Sequence, residues 1–207
     1  MSKFPGHKYA DVGAFVADYA ELTAAALKSV RPSEIDRAVA ALRHAVELDK
    51  LIFACGNGGS AAIANHLSCD CSKGIAADTG LRPRVVSLSS TVELITAIAN
   101  DVDYGEVFSH QLKNAARPGD VLITISSSGD SENIVRALAW ARDNGMTSIA
   151  MSGFSGGRSA RTADINLHVA AENYGIVEDA HQGLMHILAQ YLRLSEVTAD
   201  RMPALRF

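Results

Sequence analysis

Leu51-Ile52-Phe53-Ala54-Cys55-Gly56-Asn57-Gly58-Gly59-Ser60 is a short apolar run followed at once by a glycine-rich turn, and a helical stretch, Ala61 to Cys71, continues from it. An apolar run of this length fits a strand buried on both faces of a parallel sheet. The glycines let the backbone approach a ligand, and the helix that starts there would aim N–H groups and a positive dipole end at an anion. Glycine at such a place also serves a plain tight turn. The loop has neither the G-x-G-x-x-G of dinucleotide sites nor the Gly-Lys-Ser/Thr of a Walker loop, so no nucleotide cofactor is expected.

The pattern repeats downstream. Arg84 to Leu88, Val121 to Ser126, Thr147 to Met151 and Ile165 to Val169 are further strand candidates. Glu93 to Ala99, Gly105 to Ala116, Glu132 to Asn144 and about Val177 to Glu196 are the helices between and after them. Upstream, Val12, Phe15, Tyr19, Leu22 and Ala26 recur at helical spacing, as do Ile35, Val39, Leu42 and Val46. Ser33 is the expected N-cap of the second helix. No repeat or low-complexity linker divides the chain. Residues 1–50 are expected to form N-terminal helices for packing or oligomerisation, and residues 51–207 an α/β domain, the two making one structural unit. In such sheets ligands bind where strands end, which directs attention to the loops after Cys55, Leu88 and Ser126.

The third strand candidate runs into Ser126-Ser127-Ser128-Gly129-Asp130-Ser131. Hydroxyls combined with backbone N–H groups at a helix start can hold a phosphate without any lysine. Taken alone, Ser/Gly/Asp clusters are often turns and caps. If the first and third strands run parallel, both loops sit at one end of the sheet, and the conjunction favours a phosphate site.

Composition narrows the partners. The 207 residues carry 48% apolar and 20% charged content, which suits a globular domain with a full core. Nineteen Lys and Arg against 23 Asp and Glu leave a net charge of −4, so no broad basic surface holds a nucleic acid by counterion release. The nineteen uncharged residues from Leu51 to Cys69 are interrupted by three glycines, two asparagines, two serines and His66, so a strand, loop and helix is expected rather than a membrane span. Met1 to Ala10 shows no apolar signal core, and a cytoplasmic location is expected. Cys55, Cys69 and Cys71 are too few for a disulfide framework and read as small core residues, as Trp140 and the methionines do.

Two groups of residues carry acid, base or metal chemistry. His66 and Asp70 stand i, i+4 on one helical face, where an imidazole and a carboxylate can share a metal or a substrate, or simply an exposed polar contact. Glu178, Asp179, His181 and His186 cluster on the last helix, with His181 placed to orient a ligand. His7, His44, His110 and His168 fall outside any constellation.

Cys55 to Ser60, Asn100-Asp101 and Gly119 to Ser131 together resemble the sugar isomerase (SIS) domain family, within it the phosphoheptose isomerase branch, over nearly the whole chain to about Glu196. The resemblance implies a doubly wound, five-stranded parallel sheet flanked by helices. It also implies a homotetramer with active sites between subunits, acting on a sugar phosphate. Its activity would be the interconversion of sedoheptulose 7-phosphate and a glycero-manno-heptose 7-phosphate. On that basis Ser60, Ser126, Ser127, Ser128 and Ser131, with Gly58 in the turn, would bind the phosphate, and Asn57 and Asp101 the sugar chain. The branch uses a histidine and a glutamate on the first of these helices, and a glutamine and a histidine on the last, as zinc ligands and acid/base groups. The matching residues here are His66, Asp70, Glu178 and His186.

Two of these four differ from the branch: Asp70 stands for its glutamate and Glu178 for its glutamine. An aldose–ketose isomerase needs a base, an acid and stabilisation of an enediolate. Asp70 or Glu178 is the candidate base and His186 the candidate acid, with all four as candidate zinc ligands. Asn173-Tyr174-Gly175-Ile176-Val177 departs further, since the branch carries an acidic or small polar residue and an arginine there, and another phosphosugar would also fit such a pocket. The alternative is a non-catalytic SIS protein that binds a phosphosugar or a protein partner such as the replication initiator. The altered carboxylates favour that alternative, and the presence of His66 and His186 favours the enzyme. A phosphosugar sensor is disfavoured because no basic recognition helix precedes the domain.

Overall fold

The computed structural model describes residues 4–76 and 79–205. Met1, residues 77–78 and the last two residues of the 51–207 unit lie outside this range. Two helices come first, α1 (Val12–Lys28) and α2 (Pro32–Glu47). The strand β1 (Leu51–Gly56) follows, then α3 (Gly59–Cys69), which passes directly into a π-helical segment (Asp70–Ile75). Next come β2 (Arg84–Ser87), α4 (Val92–Asp101), a 3₁₀ turn (Tyr104–Glu106) and α5 (Ser109–Ala115). The chain continues through β3 (Val121–Ser126), α6 (Glu132–Asp143), β4 (Thr147–Ser152), α7 (Ser159–Thr162) and β5 (Ile165–His168). It finishes with the long α8 (Tyr174–Leu194) and a 3₁₀ turn (Met202–Ala204).

The strands form one sheet in the order β2-β1-β3-β4-β5, every neighbouring pair parallel. The five strand candidates are therefore the five strands, their ends shifted by at most one residue. Strand periodicity of two divides the core. Ile52 and Ala54 of β1 with Val121, Ile123 and Ile125 of β3 pack under α1, α2, α3 and α8, while Phe53, Cys55 and Leu122 pack under α4, α5 and α6. The N-terminal helices belong to this core, since Ala26, Ala38, Leu42 and Ala45 share the first cluster with α8.

Several local expectations are corrected. The second helix begins at Pro32, whose fixed φ suits the first helical position, so Arg31 rather than Ser33 occupies the cap. Gly105 to Ala116 divides because Asp103 accepts a hydrogen bond from the Gly105 N–H and closes a separate 3₁₀ turn before α5. Cys69 is exposed, whereas Cys55 and Cys71 are buried, with burial raising both thiols, Cys71 to about 12. Met202 is exposed, although Met146, Met151 and Met185 are in the core. Trp140 is half-buried against the second cluster.

Candidate active site

β2 is laid down on one side of β1 and β3 on the other, so the strand order switches between β1 and β3 and a crevice opens beyond the carboxyl ends of these two strands. Gly56 of β1 lies beside Ile125 of β3. The loops after the two strands therefore face each other, and Asn57, Ser60, Ser126, Ser127, Ser128, Ser131, Tyr174 and Glu178 line one pocket between them. Six of these eight are serine-loop or glycine-turn residues expected from the sequence.

The serine loop is held by its backbone, which leaves its hydroxyls available. Gly129 N–H donates to Ser126 Oγ and Asp130 N–H to Ser128 Oγ, so both hydroxyl protons remain free to donate. Ser127 Oγ is buried with no hydrogen-bond partner among the described residues, and Ser131 begins α6 without using its side chain as a cap. A buried hydroxyl without a partner costs free energy unless something fills the pocket. Gly129 adopts φ +65° and presses against the carbonyl of Gly156, where a β-carbon would collide. Ser159 N–H donates to Gly129 O at 2.8 Å, and Gly153 N–H to Ser127 O at 2.9 Å. Asp130 would repel a phosphate, but Arg158 bonds its carboxylate through Nε at 2.6 Å and holds it below the usual carboxylate range.

Asn57 is fixed by two residues the sequence did not single out. Its amide pairs reciprocally with that of Asn133, at 3.0 and 2.9 Å, and Tyr104 donates its hydroxyl to Asn57 Oδ1 at 3.0 Å. The available signal was an asparagine on the buried face of α6, where an apolar side chain would be ordinary. Gly58 takes φ +54° at the start of α3. Asp101 ends α4 exposed, bonded to Asn100, and is not part of the pocket lining.

The second group is built where α3 packs on α8. His66 Nε2 lies 3.3 Å from Asp70 Oδ1, and His186 Nε2 lies 3.6 Å from Asp70 Oδ2. The two imidazoles meet edge to face at 5.0 Å. One donor atom from each of His66, Asp70 and His186 falls within 4.8 Å of the others. Tetrahedral zinc with N and O ligands at about 2.0–2.2 Å needs donors about 3.3–3.6 Å apart, a spacing that the two imidazole–Asp70 distances of 3.3 and 3.6 Å meet. Glu178, the fourth expected ligand, is not in this group. Two helical turns before His186, its carboxylate lies against Gly59 at the start of α3, where a β-carbon would stand 2.5 Å from Oε2. Gln182, midway between, bridges the two histidines, with Nε2 at 3.0 Å from His66 Nδ1 and 3.2 Å from His186 Nε2.

His181 faces the opposite way, into the sheet. It is fully buried, and both ring nitrogens lack a well-formed hydrogen bond. Burial lowers it from 6.5 to about 4, and it does not reach the His66 group, so it orients no ligand there. Of the other histidines, His168 is half-buried beside Ser152, with Nδ1 at 3.2 Å from Oγ, and His7 and His44 are exposed.

Comparison with known proteins agrees with this layout. Residues 14–153 match the SIS domain family. The phosphoheptose isomerase of Mycobacterium tuberculosis is 37% identical over 159 residues, covering 76% of this chain and 78% of that protein. That of Halorhodospira halophila is 36% identical over 170 residues, 81% and 85% of the two chains. The solved phosphoheptose isomerase of Neisseria gonorrhoeae superposes with a TM-score of 0.79 at 32% identity, over 87% of this chain and 96% of that one. The chain belongs to the SIS domain family and, within it, to the phosphoheptose isomerases.

Proposed function

We propose that the protein is an aldose–ketose isomerase that converts sedoheptulose 7-phosphate into a glycero-manno-heptose 7-phosphate. The observation that carries this reading is a single seam between α3 and α8. It begins at the serine-lined pocket with Glu178 and ends, about 12 Å further along α8, at His66, Asp70 and His186. A phosphate held by Ser60, Ser126, Ser127, Ser128, Ser131 and the α3 N-terminus anchors a chain that runs along this seam past Asn57.

Glu178 is the base of this account. It reaches the pocket, whereas Asp70 is engaged with two imidazoles. Glu178 takes the proton from the carbon bearing the ketose's terminal hydroxyl. The electron pair left behind forms the carbon–carbon double bond, and the carbonyl oxygen takes up the charge. A second proton passes between the two enediolate oxygens, and Glu178 returns the first to the neighbouring carbon. His66, Asp70 and His186 are the residues that would hold a zinc ion, which would supply Lewis-acid chemistry at that end of the seam, about two helical turns along α8 from Glu178. His186 accordingly serves as a ligand in this account rather than as the acid.

The same reading carries a cytoplasmic homotetramer. Val92, Leu94, Val102 and Tyr104 are exposed around Asp101, which suits a face covered by a second copy and a site completed there. Among the described residues, no helix is long and apolar enough to cross a membrane. Proton NMR of sedoheptulose 7-phosphate with the zinc-supplemented protein tests the activity. Appearance of the aldose signal is expected, and its absence beside an active control isomerase would leave a phosphosugar-binding protein.

A further inference from the structure

Two carboxylates flank the serine at the start of α6. Asp130 and Glu132 stand on either side of Ser131, which lines the pocket, and a phosphate arriving there brings up to two negative charges of its own. No lysine or arginine is among the residues lining the pocket, so hydroxyls, backbone N–H groups and helix starts have to hold the anion against these carboxylates. Both carboxylates meet arginines outside the pocket. Glu132 has two, with Arg136 Nε donating to Oε1 at 2.8 Å and Arg158 Nη1 to Oε2 at 2.9 Å. Asp130 receives Arg158 Nε at 2.6 Å and the Arg158 backbone N–H at 3.2 Å, both on Oδ1. Loss of the Arg158 side chain would therefore leave Glu132 an arginine and take the guanidinium from Asp130.

The same guanidinium donates from Nη2 to the Asp130 carbonyl at 2.8 Å, a contact of the kind that clasps a loop. The serine loop has other fastenings, however, since Ser127 O accepts from Gly153 N–H and Gly129 O from Ser159 N–H. What the guanidinium adds to these backbone bonds is charge. We propose that Arg158 is the positioning residue that opens the serine loop to a phosphate dianion, by cancelling the charge of Asp130 beside Ser131. The inference rests on reading the pocket as the phosphate end of a phosphosugar site. The pair is solvent-exposed, with the two side chains 41% and 55% accessible, so it contributes little to folding. Its effect falls on an arriving anion, acts through solvent and is screened by salt. A clasp on the backbone would be insensitive to salt. Lysine at this position keeps the charge without the forked contacts, and glutamine gives up the charge.

The test is the affinity of the full chain for sedoheptulose 7-phosphate by calorimetry, at low and at high ionic strength. Arg158→Gln is expected to bind about tenfold more weakly than wild type at low salt, with the gap narrowing as salt rises. Arg158→Lys is expected to retain most of the affinity. Adding Asp130→Asn to Arg158→Gln is expected to restore it, because the charge that Arg158 cancels is then gone. No binding by wild type overturns the phosphosugar site and the inference together. Binding by wild type that is equally strong in Arg158→Gln overturns the role of Arg158 alone. So does a weakening that Asp130→Asn does not relieve, or one that high salt leaves unchanged.

Discussion

The carboxylate of Glu178 rests on Gly59, close enough that a β-carbon on Gly59 would stand 2.5 Å from Oε2 and 2.8 Å from Cδ. The first residue of α3 thus sets where the proposed base sits. Gly59→Ala is expected to leave the helix intact, since alanine is the better helix former, while driving the carboxylate aside. A displacement of about 1 Å costs on the order of a hundredfold in rate. The measurement is kcat beside the melting temperature. A large loss of kcat with an unchanged melting temperature supports the relationship, and unchanged kcat removes it.

Ser127 separates binding from stability. Its hydroxyl is buried with no partner among the described residues, so Ser127→Ala removes an unsatisfied group and is expected to leave stability unchanged or slightly raised. With a phosphosugar as the partner, the same change is expected to raise KM about tenfold, the loss of about 1.4 kcal/mol. Steady-state kinetics and thermal unfolding of one variant decide it.

His181 gives the protein an acid-sensitive core. Burial depresses it from 6.5 to about 4, so in the window between these values the unfolded chain binds a proton that the folded chain refuses. Stability from this residue is fully present above pH 6.5 and declines as pH falls to about 4, by on the order of 3 kcal/mol. Melting curves across this range should show that slope in the wild type, and a shallower one in His181→Leu.

The middle of the sheet was legible because β1 and β3 are buried on both faces and read as short, largely apolar runs, Leu51 to Cys55 and Val121 to Ser126. The glycine turn and the serine loop were legible because each follows its strand directly. The parallel order then brings them together. What the sequence did not reveal depends on partners distant along the chain. Asn133 and Tyr104 acquire meaning only by holding Asn57, 76 and 47 residues away. Gln182 meets His66 across 116 residues, and its spacing alone is that of any exposed glutamine on a helix. The expected helix Ala61 to Cys71 ends just inside the π-helical segment Asp70–Ile75, which a side-chain pattern does not distinguish from α-helix. Glu178 was grouped with the metal ligands by position, and the packing of α8 on Gly59 moves it to the pocket instead.

The most direct test of the account is isomerisation of sedoheptulose 7-phosphate in D₂O by wild type and Glu178→Gln, with substrate binding measured in parallel by calorimetry. The account predicts aldose formation by the wild type and at least a hundredfold slower turnover by Glu178→Gln, with substrate still bound. Wild-type turnover by Glu178→Gln would contradict it and return the base to Asp70.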